Sequence, residues 1–136
     1  MAKYAAYGCS FTKSGTEYAG VTNISGPGLS VDTEDVTSHD QATAWEEHVA
    51  TILRSGEVTL DIVYDPAAAT HKYAAGGLLY DLASRTAISC TLVFSDGAST
   101  TWSFSAIVTG FEPSAPVDGY LSASVALKLT GAVTLV

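Results

Sequence analysis

Three segments of this chain alternate apolar and polar residues, and this alternation restricts the fold more than any other feature. In residues 57–64, "EVTLDIVY", every second side chain from Val58 onward is apolar. Residues 101–109 and 121–130 repeat the same period of two. Because successive side chains of a strand point to opposite faces, each segment is predicted to be a strand with one buried face. We therefore expect a mainly β protein, built as an antiparallel β-sandwich or a barrel-like sheet.

Turn signals separate the predicted strands. The Asp-Gly pair at 96–97 predicts a tight turn within a hairpin, and "PVDG" at 116–119 predicts a second turn before the last strand. A Gly-Pro-Gly sequence divides a strand over 17–24 from a short strand over 29–33. The order of these elements indicates a single domain, residues 1–136, that begins with an N-terminal arm, residues 1–16.

One segment, residues 39–54, has helical periodicity instead. Trp45, Val49 and Ile52 or Leu53 recur at the spacing of an amphipathic helix. This pattern predicts a single flanking helix whose apolar stripe packs on the sheet.

The polar stretch "DVTSHDQ", residues 35–41, is predicted to join a strand to this helix. Ser38 is placed to cap the first turn, and Gln41 three residues later completes a capping box. Asp40 lies where a negative charge meets the positive end of the helix dipole. The stretch lacks the Asp and Gly spacing of an EF-hand loop, so no metal site is expected. The predicted junction residues are Asp35, Ser38, Asp40 and Gln41.

Residues 65–77, "DPAAATHKYAAGG", are predicted to form a long loop of small residues. A loop of this length inside a compact domain is usually functional or disordered. The next residues, 78–85, are predicted to form one or two helical turns.

The composition excludes several classes of function. Six basic and fourteen acidic residues leave a net charge of −8, and tight binding of nucleic acid requires clustered Lys and Arg. Charged residues make up only 15% of the chain, which suits a surface buried against other subunits. Cys9 and Cys90 are expected to be free thiols, since two distant cysteines do not form a disulfide framework. No signal peptide or membrane span is expected.

An enzyme has little support in the sequence. Ser38, His39 and Asp40 are adjacent and cannot face one another as a triad, and no nucleophile-elbow motif occurs. A small hydrolase using His39, His48 or His71 is the weakest of the alternatives. Trp45 and Trp102 are expected to pack in the core, although a sugar site at Trp102 is a second alternative. We therefore predict no catalytic, metal or cofactor site.

Several segments together resemble a known family. They are "DVTSHD", the strand "GEVTL" closed by Asp65-Pro66, the "SDG" hairpin, and "EPSAPVDGYLSASVALKLTG". In this order they resemble the major tail tube proteins of long-tailed, non-contractile bacteriophages. The resemblance covers about residues 20–131.

The resemblance implies a structural virion protein of the phage tail. Its protomer is expected to be a β-sandwich or barrel-like domain with a flanking helix, which assembles into hexameric rings. The rings stack into a hollow tube through which DNA passes during ejection. The implied partners are other copies of the chain and the tape-measure, tail-tip and tail-terminator proteins, without a cofactor or a membrane. The implied location is the virion tail, and the host cytoplasm during assembly.

The resemblance also suggests residues for two contacts. Glu57 and Asp61 share one face of their strand and are candidates for the wall of the lumen, where carboxylates keep phosphate mobile. The loop 65–77 is the candidate contact with the next ring. Its candidate residues are Asp65, Pro66, Ala68, His71, Lys72 and Tyr73. The alternative function is a monomeric immunoglobulin-like adhesion or carbohydrate-binding module.

Overall fold

The computed structural model describes residues 1–40 and 42–135. Over these residues the chain forms nine strands and one short helix, so it is mainly β as the alternation predicts. The elements are β1 (Ser10–Lys13), β2 (Thr16–Glu17), β3 (Val21–Ser25), β4 (Ser30–Asp35), β5 (His48–Arg54), β6 (Glu57–Val63), α1 (Leu78–Ser84), β7 (Ile88–Val93), β8 (Thr101–Ser114) and β9 (Ser122–Thr134).

Seven of the strands form one antiparallel sheet in the order β2-β1-β7-β8-β9-β6-β3. The sheet is curled, so that β1 near one edge approaches β3 at the other. The result is a half-barrel, which agrees with the barrel-like fold expected from the sequence. The remaining strands, β4 and β5, form a separate two-stranded sheet.

The concave face of the sheet holds the hydrophobic core. Val58, Leu60 and Ile62 of β6 are buried, as the alternation predicts, while Glu57 and Asp61, at positions of the opposite face, are exposed. The predicted inward positions of the other long strands are also buried, apart from Trp102, which is half-buried, and Leu121, which precedes β9 and is exposed. The core residues of β8 and β9 are Phe104, Ala106, Val108, Ala123, Val125, Leu127 and Leu129.

The helix α1 and the segment before it close one side of the core. Leu78 is fully buried, and Asp81 forms a hydrogen-bonded ion pair with Lys13 of β1. This short helix confirms the helical turns predicted for residues 78–85.

The hairpin between β7 and β8 is confirmed, but its loop is longer than the predicted tight turn. It spans residues 94–100 and is held by Asp96, whose carboxylate accepts hydrogen bonds from the backbone N–H and the hydroxyl of Thr100. These bonds from Thr100 hold the pKa of Asp96 below its usual value. An aspartate that bonds forward along its own chain stabilises this wider loop.

The helix predicted over 39–54 is wrong. Residues 48–54 are β5, which pairs with β4 in a hairpin, and Val49, Ile52 and Leu53 of the supposed apolar stripe are exposed. Two physical causes favour the strand: β-branched residues are frequent in this segment, and the polar residues before it bond to nearby backbone groups. Such local bonds compete with helix formation.

We expect core and hairpin leucines to differ sharply in their effect on stability. Leu60→Ala removes a fully buried side chain and should lower the free energy of unfolding by about 2–5 kcal/mol. Leu53→Ala, at 82% exposure, should change it by less than about 0.5 kcal/mol in the monomer. Urea unfolding of the monomer measures both values. Equal losses would contradict the assignment of the core.

The two cysteines are free thiols, as the sequence predicts, and they should differ in reactivity. Burial raises the pKa of Cys90 to about 12, whereas Cys9 is half-buried. The thiolate is the reactive form, so a thiol reagent at about pH 8 should modify Cys9 and spare Cys90 until the protein unfolds. Labelling of Cys9→Ser at the native rate of the wild type would contradict this prediction.

Candidate assembly surface

The β4–β5 hairpin is the largest feature of the chain that the core does not explain. Among the described residues its strands pair only with each other. Every residue of β5 is exposed, and so is every residue of β4 except Asp32. An isolated two-stranded hairpin is at best marginally stable in water, so this element requires a covering surface.

Apolar side chains lie on both faces of the hairpin. Val31 is paired with Leu53, and Glu34 is paired with Val49 three residues further along β4. The register shifts between Val31 and Thr33, where β5 holds one extra residue. Along β4, which is regular here, Val31 and Glu34 are three apart and point to opposite sides, and their partners Leu53 and Val49 do so with them. A hairpin packed on one surface needs only one apolar face, so this pattern indicates contacts on both sides. The exposed apolar residues of the hairpin and its flanks are Leu29, Val31, Val36, Trp45, Val49, Ile52 and Leu53.

Polar contacts hold the two strands in register. Arg54 donates hydrogen bonds from Nε and Nη2 to the Asp32 carboxylate, at 2.9 and 2.7 Å. This hydrogen bond from Arg54 holds the pKa of Asp32 below its usual value. The pair ties the ends of β4 and β5 nearest to the body of the protein.

The loop at the tip of the hairpin, residues 36–47, is closed by local hydrogen bonds. The hydroxyl of Thr37 accepts the Glu47 N–H at 2.8 Å, and the Glu47 carbonyl accepts the Val36 N–H at 2.9 Å. Asp35 accepts the Thr37 N–H at 2.9 Å, and hydrogen bonds from Thr37 hold the pKa of Asp35 below its usual value. Trp45 is 76% exposed on this loop.

The predicted junction to a helix is therefore corrected. Asp35 ends β4, and Ser38 donates a hydrogen bond to the Asp40 carboxylate within the tip loop instead of capping a helix. Gln41 lies outside the described residues. Residues 35–40 belong to a strand end and a hairpin tip.

The root of the hairpin, where the backbone enters and leaves it, depends on two glycines, Gly26 and Gly56. A side-chain carbon at Gly26 would lie 2.2 Å from the Glu57 carbonyl oxygen, and one at Gly56 would lie 2.7 Å from the Gly28 carbonyl oxygen. Both glycines have positive φ, +97° and +70°. The backbones that enter and leave the hairpin thus touch at positions where only glycine fits.

The convex face of the main sheet, called here the outer face, is rich in hydroxyl groups. Glu57 and Asp61, the lumen candidates, are exposed on this face opposite Lys128 and Ser124 of β9. Asn23 donates to the Asp61 carboxylate at 3.4 Å. The outward hydroxyl residues of the four central strands include Thr59, Ser89, Thr91, Ser103, Ser105, Ser124 and Thr130.

The segment 65–77 forms a series of turns, and it is tied to the body by His71. The ring accepts the Asp65 N–H at Nδ1, 3.2 Å, and donates from Nε2 to the Ala19 carbonyl, 2.7 Å. His71 is only 1% exposed, so its predicted contact with another ring is corrected to an internal one. Thr70 is also buried, and its hydroxyl accepts the Ala19 N–H. The other candidate residues differ in exposure: Asp65, Pro66, Lys72 and Tyr73 are exposed, and Ala68 is half-buried.

The N-terminal residues lie against the loop between β7 and β8. Residues 10–13 of the predicted arm form β1, and the residues before them contain no strand. Ser95 donates a hydrogen bond to the Ala5 carbonyl, and Cys9 contacts Ser95 at 3.4 Å. A groove of about 940 Å³ lies here, lined in part by Phe94 and Trp102.

Two types of site are absent from the part of the chain that the structure describes. Residues 1–40 and 42–135 contain no group of three or more His, Cys, Asp or Glu side chains that could hold a metal ion. Within the same ranges, no helix is long and apolar enough to cross a membrane.

The architecture is the tail tube fold: a curled antiparallel half-barrel, one short helix and a projecting hairpin. No model of a known protein family matches the sequence, and no curated protein matches it either. The fold is similar to a chain in the virion of a native gene transfer agent (GTA) particle, with a TM-score of 0.76 and 15% identity. That match covers 98% of this chain and 99% of the other.

Two further solved structures have the same fold. The first is the tail of an empty GTA particle with C6 symmetry, with a TM-score of 0.68, 16% identity, and coverage of 93% and 94% of the two chains. The second is the sheath–tube complex of PVC, an extracellular contractile injection system, in the extended state. It has a TM-score of 0.70 and 15% identity, and the match covers 98% of this chain and 93% of the other. These similarities show that the chain shares the fold of tail tube proteins.

Proposed function

We propose that this chain is the repeating subunit of a phage tail tube, in which hexameric rings stack into a hollow conduit for DNA. The sequence resemblance supports a long-tailed, non-contractile phage as the source. The observation that carries the proposal is the β4–β5 hairpin, which exposes apolar side chains on both faces.

The exposed hairpin favours assembly on energetic grounds. Each large apolar side chain that becomes buried contributes about 1.5–3 kcal/mol. Trp45, Ile52 and Leu53 alone are 76%, 58% and 82% exposed in the single chain. Contiguous exposed apolar surface of this kind marks interaction sites in soluble proteins. A subunit enclosed by copies of itself buries this surface, whereas a monomeric binding module leaves it in water.

The hexameric ring is supported by the similarity to the GTA tail, which has C6 symmetry. Within a ring of this chain, the exposed residues of the 65–77 segment, above all Tyr73, are proposed to face the next ring. Tyr73 is 70% exposed and packs against Tyr80 of α1, with ring centroids 6.2 Å apart. Its position is therefore stabilised before any contact is made.

The outer face of the sheet is proposed to line the lumen. It carries mainly hydroxyl groups, with the carboxylates of Glu57 and Asp61 exposed among them. A surface with few cations forms no lasting ion pairs with phosphate, so a DNA chain can slide along it. The net charge of −8 acts in the same direction.

The proposed tube has structural partners and no catalytic role. Its subunits contact one another and, at the ends and in the lumen, the tail-tip, tail-terminator and tape-measure proteins. The protein resides in the virion tail after assembly in the host cytoplasm.

The first test is electron microscopy of the purified protein at high concentration, together with its mass in solution. We expect six-fold rings or hollow tubes. Ile52→Asp, which places a charge on the hairpin, should prevent assembly but leave the monomer folded, because Ile52 lies outside the core. Asp118→Asn in the β8–β9 turn is the control and should assemble normally. A protein that stays monomeric at every concentration, with tail-tip complexes added as seeds, would support the carbohydrate-binding module and a ligand screen at Trp102.

The second test concerns the lumen. Replacing both Glu57 and Asp61 with Lys should leave the subunit folded, since both side chains are exposed. Virions with this tube should assemble but eject DNA more slowly at low salt, and added salt should restore the rate because it screens phosphate contacts. Ejection can be followed by the release of DNA from purified particles. An unchanged rate would exclude this face as the lumen wall.

A further inference from the structure

A groove at the root of the hairpin is a candidate receptor for another part of the same protein. It has a volume of about 690 Å³, within the range of about 300–1,000 Å³ found for pockets that enclose drug-sized molecules. Its lining is mainly apolar, with two cations at its edge. The lining residues used below are Leu29, Leu53, Leu129, Val133, Arg54 and Lys128.

The tip of the hairpin has matching chemistry. Trp45 is 76% exposed, and Glu46 and Glu47 follow it directly. Tryptophan is among the residues that most often dominate binding energy when they enter a pocket. The tip thus presents an aromatic anchor beside two carboxylates, and the groove presents an apolar cavity beside two cations.

We propose that the hairpin tip of one copy docks in the root groove of the next copy, with Trp45 in the cavity and the carboxylates of Glu46 and Glu47 facing Lys128 and Arg54. The proposal rests on the proposed function and names the contact through which subunits join. It commits to a second copy of this chain as the occupant of the groove.

Charge complementarity favours this occupant. The whole chain has only six Lys and Arg residues, and two of them border this groove. Lys128 lies opposite Glu57 in the β6–β9 pairing but forms no ion pair within residues 1–40 and 42–135, and Arg54 is paired with Asp32 at the surface. On the tip, Glu46 is paired with His48 at 3.1 Å, and Glu47 is in no ion pair among those residues. Docking pairs these charges and removes apolar surface from water.

The tip cannot reach the groove of its own chain. The strand β5 separates them, and its seven residues extend about 23 Å at roughly 3.3 Å each. The contact must therefore join two copies, tip to root. Such a head-to-tail contact is heterologous, so it repeats from copy to copy and produces a ring or a filament.

Complementation between two variants tests the contact. The tip variant carries Trp45→Ala and Glu47→Lys, and the groove variant carries Leu53→Asp and Lys128→Glu. All four side chains are exposed, so both variants should fold with the circular dichroism of the wild type. Each variant alone has one defective half of every contact, and its self-association should weaken by more than about tenfold.

The equimolar mixture distinguishes tip-to-root docking from other contacts. One intact tip and one intact groove remain, so we expect a heterodimer of twice the 14.1 kDa chain mass and nothing larger. Sedimentation of the mixture measures this mass. A mixture that remains monomeric, or either variant assembling as the wild type does, overturns the docking.

A control separates this proposal from the proposed function. Asp118→Lys makes the same change of charge as Glu47→Lys at another exposed turn, and it should leave assembly unchanged. If the wild type forms tubes and both groove and tip variants also form them, the docking is wrong and the tube remains. If the wild type never associates, the tube itself is wrong.

Discussion

The antiparallel pairing of β8 with β9 is the contact on which the rest of the fold depends. It runs from the Ser103–Thr134 pair to the Ser114–Ser122 pair, far longer than any other ladder in the structure. β7 attaches along the outer edge of β8 and β6 along the outer edge of β9. Both central strands bury every second side chain on the same concave face, and the sheet curls around that core. The position of each remaining strand, and the exposure of the outer face, follow from this curl.

The parts of the fold that were predicted from the sequence are those whose burial partners lie within the same chain. β6, β8 and β9 each bury one face in the core, so the alternation of apolar and polar residues predicts these strands from the sequence. Val58, Leu60 and Ile62 are buried as this alternation predicts. The exposed side of Glu57 and Asp61 followed from the same alternation. Their role in a lumen stays a prediction, because a lumen is a property of an assembly.

The parts that were missed depend on contacts that sequence periodicity does not record. β5 has apolar residues on both of its faces, and neither face is covered within one chain. The spacing of these apolar residues therefore resembles that of an amphipathic helix. His71 was expected on the surface of a loop, but a long-range bond to the Ala19 carbonyl turns it inward. Its two backbone partners, Asp65 and Ala19, lie 6 and 52 residues away in the sequence, and the longer of these bonds leaves no trace in local composition. The acidic residues near Asp35 were assigned to the right segment but to the wrong element, since strand ends and helix caps use the same side chains.

In the proposed tube, the close backbone contacts at Gly26 and Gly56 have a consequence for how tightly subunits join. The two backbone segments that enter and leave the hairpin approach each other at carbonyl oxygens, which leaves little room for the hairpin to change direction. A hairpin whose direction is already fixed loses little conformational freedom when it docks, so more of its contact energy remains as affinity. A larger residue at either glycine would change the direction of the hairpin without altering any residue that contacts a neighbour. The residues without side chains would then govern how tightly a growing end holds its next subunit.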